Sequence, residues 1–119
     1  ERHLERNGTT IVKFFLHVSK EEQRQRLLAR LEEPGKEWKF SAADVAERGH
    51  WDAYMRAYED ALTTTSTRWA PWYVIPADHK PLMRVLVASV LVETIRSMHL
   101  AYPTVSFEQQ AANEEALAE

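Results

Sequence analysis

The stretch Thr9 to Val18 (TTIVKFFLHV) constrains this chain more than any other. It is β-branched, aromatic and nearly continuously apolar. A strand buried on both faces has this pattern, as in a parallel α/β sheet. Ser19 follows, with Glu22 three residues on. That capping box predicts a helix from Lys20 to about Leu31, stopped before the turn signal Pro34-Gly35. Ser41 and Asp44 make a second start of the same kind. After it Val45, Trp51, Tyr54, Met55, Tyr58, Ala61 and Leu62 keep mostly helical spacing, with a bend expected at Gly49. The run Thr63 to Thr67 (TTTST) ends that helix, because hydroxyl and β-branched residues favour other backbone states. Trp72 to Pro76 (WYVIP) reads as a second buried strand. Asp78 is expected to cap a last helix, with Pro81 tolerated in its first turn. Leu82, Val85, Leu86, Ser89, Val90, Val92 and Ile95 carry that helix, and Tyr102-Pro103 closes it. Residues 104–119 read as an acidic tail, mobile or loosely helical.

Strands alternating with helices indicate an α/β protein with a parallel sheet. Two strands make a poor sheet, since each leaves hydrogen-bonding groups unpaired at an edge. Two doubly apolar strands therefore imply others outside this sequence. The 119 residues suffice for one small domain, and 45% apolar with 28% charged residues is the composition of a globular protein. The chain opens on Glu1, Arg2 and His3 rather than Met, so a piece of a longer chain is expected, and the opening is not that of a signal peptide. No apolar run approaches the roughly 20 residues that span a bilayer. There is no cysteine, which excludes disulfides and thiolate metal sites.

The net charge of -3 conceals a division. From Leu100 onward Glu108, Glu114, Glu115 and Glu119 stand without a Lys or Arg, so residues 1–99 hold all 15 bases against 14 of the 18 acids. Neither part is basic enough for bulk nucleic-acid binding. Between Lys20 and Arg48 seven bases (Lys20, Arg24, Arg26, Arg30, Lys36, Lys39, Arg48) meet seven acids. One reading is a solvated, salt-bridged surface. The other is a phosphate clamp: Arg26 and Arg30 share a helix face, Arg offers bidentate donors, and Lys36 and Lys39 bracket Trp38 on a Pro-Gly loop that can close over a polyanion.

Among the aromatics, Tyr54, Tyr58, Trp72 and Tyr73 read as core, and Trp38, between Glu37 and Lys39, as exposed. Asp78-His79-Lys80 follows the second strand, where open α/β sheets hold ligands; a plain helix cap with two exposed neighbours is the alternative. The five histidines show no metal spacing, and His17 reads as a packed core residue. No G-x-x-x-x-G-K-[ST] loop occurs, and Gly8, Gly35 and Gly49 are isolated. No Ser/His/Asp order or paired-carboxylate motif stands out.

The blocks KFFLHVSKEEQ, KEWKFSAAD and APWYVIPADHK are long and specific. From Glu1 to about Tyr102 the chain resembles the region of type 2 polyphosphate kinases that follows their second acidic motif. The resemblance implies a fold like that of P-loop nucleotide kinases such as thymidylate kinase: a parallel sheet with helices on both faces and a lid, of which this chain carries the C-terminal strands and helices. It implies residues 1–103 as the C-terminal part of the domain, with a lid over about 32–50 and the tail beyond. It further implies magnesium-dependent movement of phosphoryl groups between inorganic polyphosphate and a nucleoside mono- or diphosphate (ADP, AMP or GDP). Arg26, Arg30, Lys36, Lys39 and Arg48 match the basic positions around the family's lid, and Asp78 and Lys80 its ADHK loop beside the nucleotide. The family's phosphate loop and metal-binding aspartates precede this segment, so the chain is expected to be inactive alone. The expected setting is cytoplasmic, without nucleic acid or membrane, as a homo-oligomer or joined to the missing N-terminal part. The alternative is a non-catalytic module that binds polyphosphate or nucleotide; a purely structural helical domain would make the basic residues incidental.

Overall fold

A computed structural model describes residues 1–118. The elements run α1 (Arg2–Arg6), β1 (Lys13–His17), α2 (Lys20–Glu32), a 3₁₀ turn (Glu37–Lys39), α3 (Ala42–Glu47), a second 3₁₀ turn (Arg48–His50), α4 (Trp51–Thr65), β2 (Trp72–Pro76), α5 (Lys80–Ser97) and α6 (Phe107–Ala118). The chain forms two compact units, residues 1–88 and 89–119, and α5 runs across the boundary.

In the first unit β1 and β2 pair in parallel, in register from Lys13 opposite Trp72 to His17 opposite Pro76. Two bonds extend the ladder: Lys13 N–H donates to the Pro71 carbonyl at 3.1 Å and Ala77 N–H to the His17 carbonyl at 2.8 Å. The helices between the strands make the long crossover that parallel pairing requires. Both Ser-led helix starts form: Ser19 Oγ accepts from Glu22 N–H at 3.1 Å, and Ser41 Oγ from Ala43 N–H at 3.2 Å. Gly35 sits at φ +83°, a left-handed turn that favours glycine, and ends the approach from α2.

The strands are shorter and less covered than their composition suggests. β1 takes five residues of the expected ten. Ile75, Ala77, Ala70 and Leu27 are buried, but Leu16 and Val74 are 46% and 55% exposed. The expectation of strands buried on both faces is thus corrected: two strands and their crossover cannot cover both faces. Tyr54, Tyr58 and Tyr73, expected in the core, are exposed, and so is His17, which stacks on Phe15 at 5.9 Å.

One helix, α1, was not foreseen, and the tail expected to be mobile or loosely helical forms a helix. α1 is held on the first unit by Glu1, whose carboxylate takes both of its contacts from Lys13 Nζ at 2.9 Å, and by Arg2 over the Trp69 ring at 4.0 Å. Lys13 Nζ also donates to the Thr65 carbonyl at 2.7 Å, which seats this cation among three elements. In the second unit α5 ends at Ser97 rather than near Tyr102, because His99 takes a left-handed φ of 47° and breaks the helical path without the usual glycine. Residues 107–118 form α6; the last residue of the expected tail, Glu119, lies outside the described residues.

Candidate functional site: an arginine-lined cleft at the strand ends

Beyond the C-terminal end of β1 lies an open cleft of about 460 Å³. One wall is α2, which contributes Gln23, Arg26 and Arg30; the opposite side is α3 and the turn after it, with Asp44, Glu47 and Arg48. Phe15 and His17 form the floor, and Trp51, Tyr54 and Tyr58 of α4 close the apolar side. Helical spacing puts Arg26 and Arg30 one turn apart on the same face. Arg48 reaches them because its Nη1 donates to the Lys20 carbonyl at 2.9 Å and to Gln23 Oε1 at 2.8 Å, pinning the 3₁₀ turn to the first turn of α2.

Each arginine is held differently. Arg30 has one weak contact, Nη1 to Asp44 Oδ2 at 3.8 Å, with both side chains near half exposed. Arg26 is committed: its Nε donates to Glu22 Oε1 at 2.7 Å, and its Nη2 to the carbonyls of Ala77 at 2.8 Å and Asp78 at 3.1 Å. Glu22 therefore turns toward Arg26, and the returning half of the capping box is taken by another group. Ser19 N–H donates instead to Asp78 Oδ1 at 2.7 Å. That bond, with a smaller share from the Ser19 side chain and the Arg26 charge, holds the Asp78 carboxyl below the ordinary aspartate value. Asp78, expected to cap α5, thus does not cap it. His79 Nδ1 accepts from Leu82 N–H at 3.4 Å in that position.

The other wall carries the paired Glu47 and Tyr54. The phenol donates to Glu47 Oε2 at 2.6 Å, and this hydrogen bond, followed by the carboxylate's charge, raises the Tyr54 pKa. The remaining basic candidates stand outside the cleft walls. Lys36 pairs with Glu33 at 2.6 Å, Lys39 Nζ sits 5.1 Å from the centre of the Trp38 ring, Trp38 is 78% exposed, and Lys80 opens α5 at the surface. Of the seven candidates, then, Arg26, Arg30 and Arg48 converge on one cleft. Asp78 is tied to its edge through Ser19 and Arg26. The residues that sequence reasoning passed over are Gln23, Asp44, Glu47 and the Tyr54 hydroxyl. Gln23 and Arg48 lie 25 residues apart in sequence, so no local signal joins them.

Two parallel strands joined by a helical crossover define an α/β protein, and its arginine-lined cleft lies beside the carboxyl end of β1. The sequence profile of Polyphosphate kinase 2 (PPK2) matches residues 1–103, and the chain belongs to that family. It is 57% identical over 103 residues to an ADP-polyphosphate phosphotransferase of Rhodopseudomonas palustris, covering 87% of this chain and 36% of that protein. With an AMP/ADP-polyphosphate phosphotransferase of Meiothermus ruber the identity is 53% over 103 residues, covering 87% and 39%. The crystal structure of Polyphosphate Kinase 2 from Arthrobacter aurescens TC1 superposes with a TM-score of 0.87 at 42% identity, over 99% of this chain and 42% of that one. The chain therefore spans about two fifths of the length of these three proteins.

Proposed function

We propose that this chain forms the anion-holding part of a phosphotransferase that moves phosphoryl groups between inorganic polyphosphate and a nucleoside mono- or diphosphate, ADP, AMP or GDP. The observation that carries the reading is the convergence of Arg30 and Arg48 on one cleft beyond the carboxyl end of β1, with Arg26 in the same wall. Phosphoryl transfer asks a protein for positioning and charge neutralisation more than for covalent chemistry, and arginine forks supply both. The names of the relatives, which include both ADP- and AMP/ADP-dependent proteins, support the substrate pair. In this reading residues 32–50, with Lys36 and Lys39, form a lid over the polyanion, and Asp78 and Lys80 lie beside the nucleotide. The two-stranded sheet is the C-terminal part of a P-loop-kinase-like sheet with helices on both faces, in a cytoplasmic protein. Magnesium belongs to the same proposal. Among the described residues no three His, Asp or Glu side chains converge as a metal would need. The donor set here does not fit the ion, and in this reading its ligands lie in the segment that the chain lacks.

The reading is tested in two arms. Tripolyphosphate titrated against the tryptophan fluorescence of the chain, to which Trp51 in the cleft contributes, is expected to give saturable binding that weakens as salt rises. The same 119 residues incubated with ADP, polyphosphate and magnesium are expected to yield no nucleotide product, whereas the chain joined to the upstream length of its relatives yields it. Absence of tripolyphosphate binding would remove the cleft from the reaction. Turnover by the 119 residues alone would overturn the assignment of the remaining machinery to other segments.

A further inference from the structure

The strand ends are joined by a closed circuit of hydrogen bonds. Ser19 follows β1 and caps α2; α2 carries Arg26; Arg26 grips the carbonyls of Ala77 and Asp78 just past β2; and Asp78 returns to the Ser19 amide. Three of the five guanidinium N–H groups are engaged when the bond to Glu22 is included. Swinging Arg26 toward an incoming phosphate would release all three and leave two carbonyls without their donor. Arg30, with its single 3.8 Å contact, gives up far less. The charges that face Arg26 are Glu22 on its own helix and Asp78 across the clasp.

We propose that Arg26 is a positioning residue: it fixes the segment Ala77–Asp78, and with it the loop leading to Lys80, while Arg30 and Arg48 take the phosphates. This rests on the phosphoryl-transfer reading above, in which that loop lies beside the nucleotide. A planar fork suits the task because it meets two adjacent carbonyls and a carboxylate at once; lysine keeps the charge but loses that geometry. The consequence is a split between ligands. Loosening the loop harms nucleotide binding, and leaves a bare polyanion its charge and its two other arginines.

The test compares Arg26→Lys and Arg30→Lys with the wild-type chain at a temperature where all three are folded. Dissociation constants are measured for ADP and for tripolyphosphate, and exchange of the Ser19 amide is followed by NMR. For Arg26→Lys the expected result is faster Ser19 exchange, an ADP affinity lower by about tenfold, the loss of about 1.4 kcal/mol of binding, and a tripolyphosphate affinity within about twofold of wild type, the charge being kept. Arg30→Lys is expected to weaken tripolyphosphate and leave Ser19 exchange unchanged. Equal losses for both ligands in Arg26→Lys would make Arg26 a phosphate ligand and overturn the proposal. Unchanged ligand affinities with faster exchange would reduce the clasp to a purely structural contact and overturn it too. If the wild-type chain binds neither ligand, the phosphoryl-transfer reading itself falls and takes this proposal with it. If wild type binds both and only the split is missing, the positioning assignment alone is lost.

Discussion

Replacing Arg30 with alanine separates the two readings of the basic stretch. The structure fixes the stability side of the comparison. Its one ionic contact is a 3.8 Å approach to Asp44, and the two side chains are 42% and 50% exposed. Such a pair is well screened and contributes about 0.2–1 kcal/mol at most, to be discounted further for its length. Arg30→Ala is therefore expected to shift the urea midpoint hardly at all. The binding side is larger. A charge-assisted contact from guanidinium to phosphate contributes about 1.5–3 kcal/mol net, which corresponds to roughly a 10- to 150-fold change in affinity. The assay is a tripolyphosphate titration of wild type and Arg30→Ala at matched ionic strength, beside equilibrium unfolding of both. A midpoint change of several tenths molar urea with unchanged affinity would refute the reasoning, because the residue would then be a structural brace and the stretch a solvated surface.

Two further outcomes are expected. Because the Ser19 amide lowers the folded-state pKa of Asp78 below its ordinary 3.8, the clasp contributes stability that is present above that value and lost as pH falls through the folded value; the stability gap between wild type and Asp78→Ala should close as pH falls from the ordinary aspartate value through the folded one, and a gap that stays constant or widens would contradict the assignment. Because Leu16, Val74 and Tyr73 stand exposed on a two-stranded sheet, the isolated chain is expected to self-associate, or to associate with the segment that pairs its sheet edges, so sedimentation should show mass rising with concentration, and a single ideal monomer at all concentrations would contradict it.

What was legible in the sequence was what nearest neighbours decide. β2 occupies Trp72–Pro76 as its apolar run and flanking prolines indicated, and both serine caps stand where the S-x-x-[DE] pattern put them. α2 begins at Lys20 and ends one residue past the expected Leu31. The bend at Gly49 is a 3₁₀ turn between two helices. The errors come from contacts distant in sequence. Spacing identified an apolar face on α4 but not what covers it, so Tyr54 and Tyr58 were assigned to a core when they border a cleft. The carboxylate of Asp78 looked like a helix cap because the group that claims it, the Ser19 amide, is 59 residues away. α6 lacks an apolar stripe, and its Ala, Glu and Gln content favours helix without showing what the helix packs on. The convergence of Arg26, Arg30 and Arg48 was half visible: two share a helix face by spacing, and the third arrives only through Gln23 and the Lys20 carbonyl.

The balance of charge in the cleft bears on how it would handle a long polyanion. Three arginines face two carboxylates, Asp44 and Glu47, so the walls carry a small net positive charge rather than a dense patch. Bulk attraction alone would be modest and strongly screened at physiological salt, where the Debye length is about 8 Å. Recognition would then come from direction: guanidinium forks that match phosphate oxygens two at a time, with Arg48 held in place by the first turn of α2 and Arg30 left nearly free to turn to the ligand. Directional donors beside resident carboxylates favour a ligand that is bound and released repeatedly, since Asp44 can reclaim Arg30 each time a phosphate leaves. A site built from lysines without counter-ions would hold a polyanion by charge and release it slowly. The sequence supplies the opposite arrangement, arginines interleaved with acids.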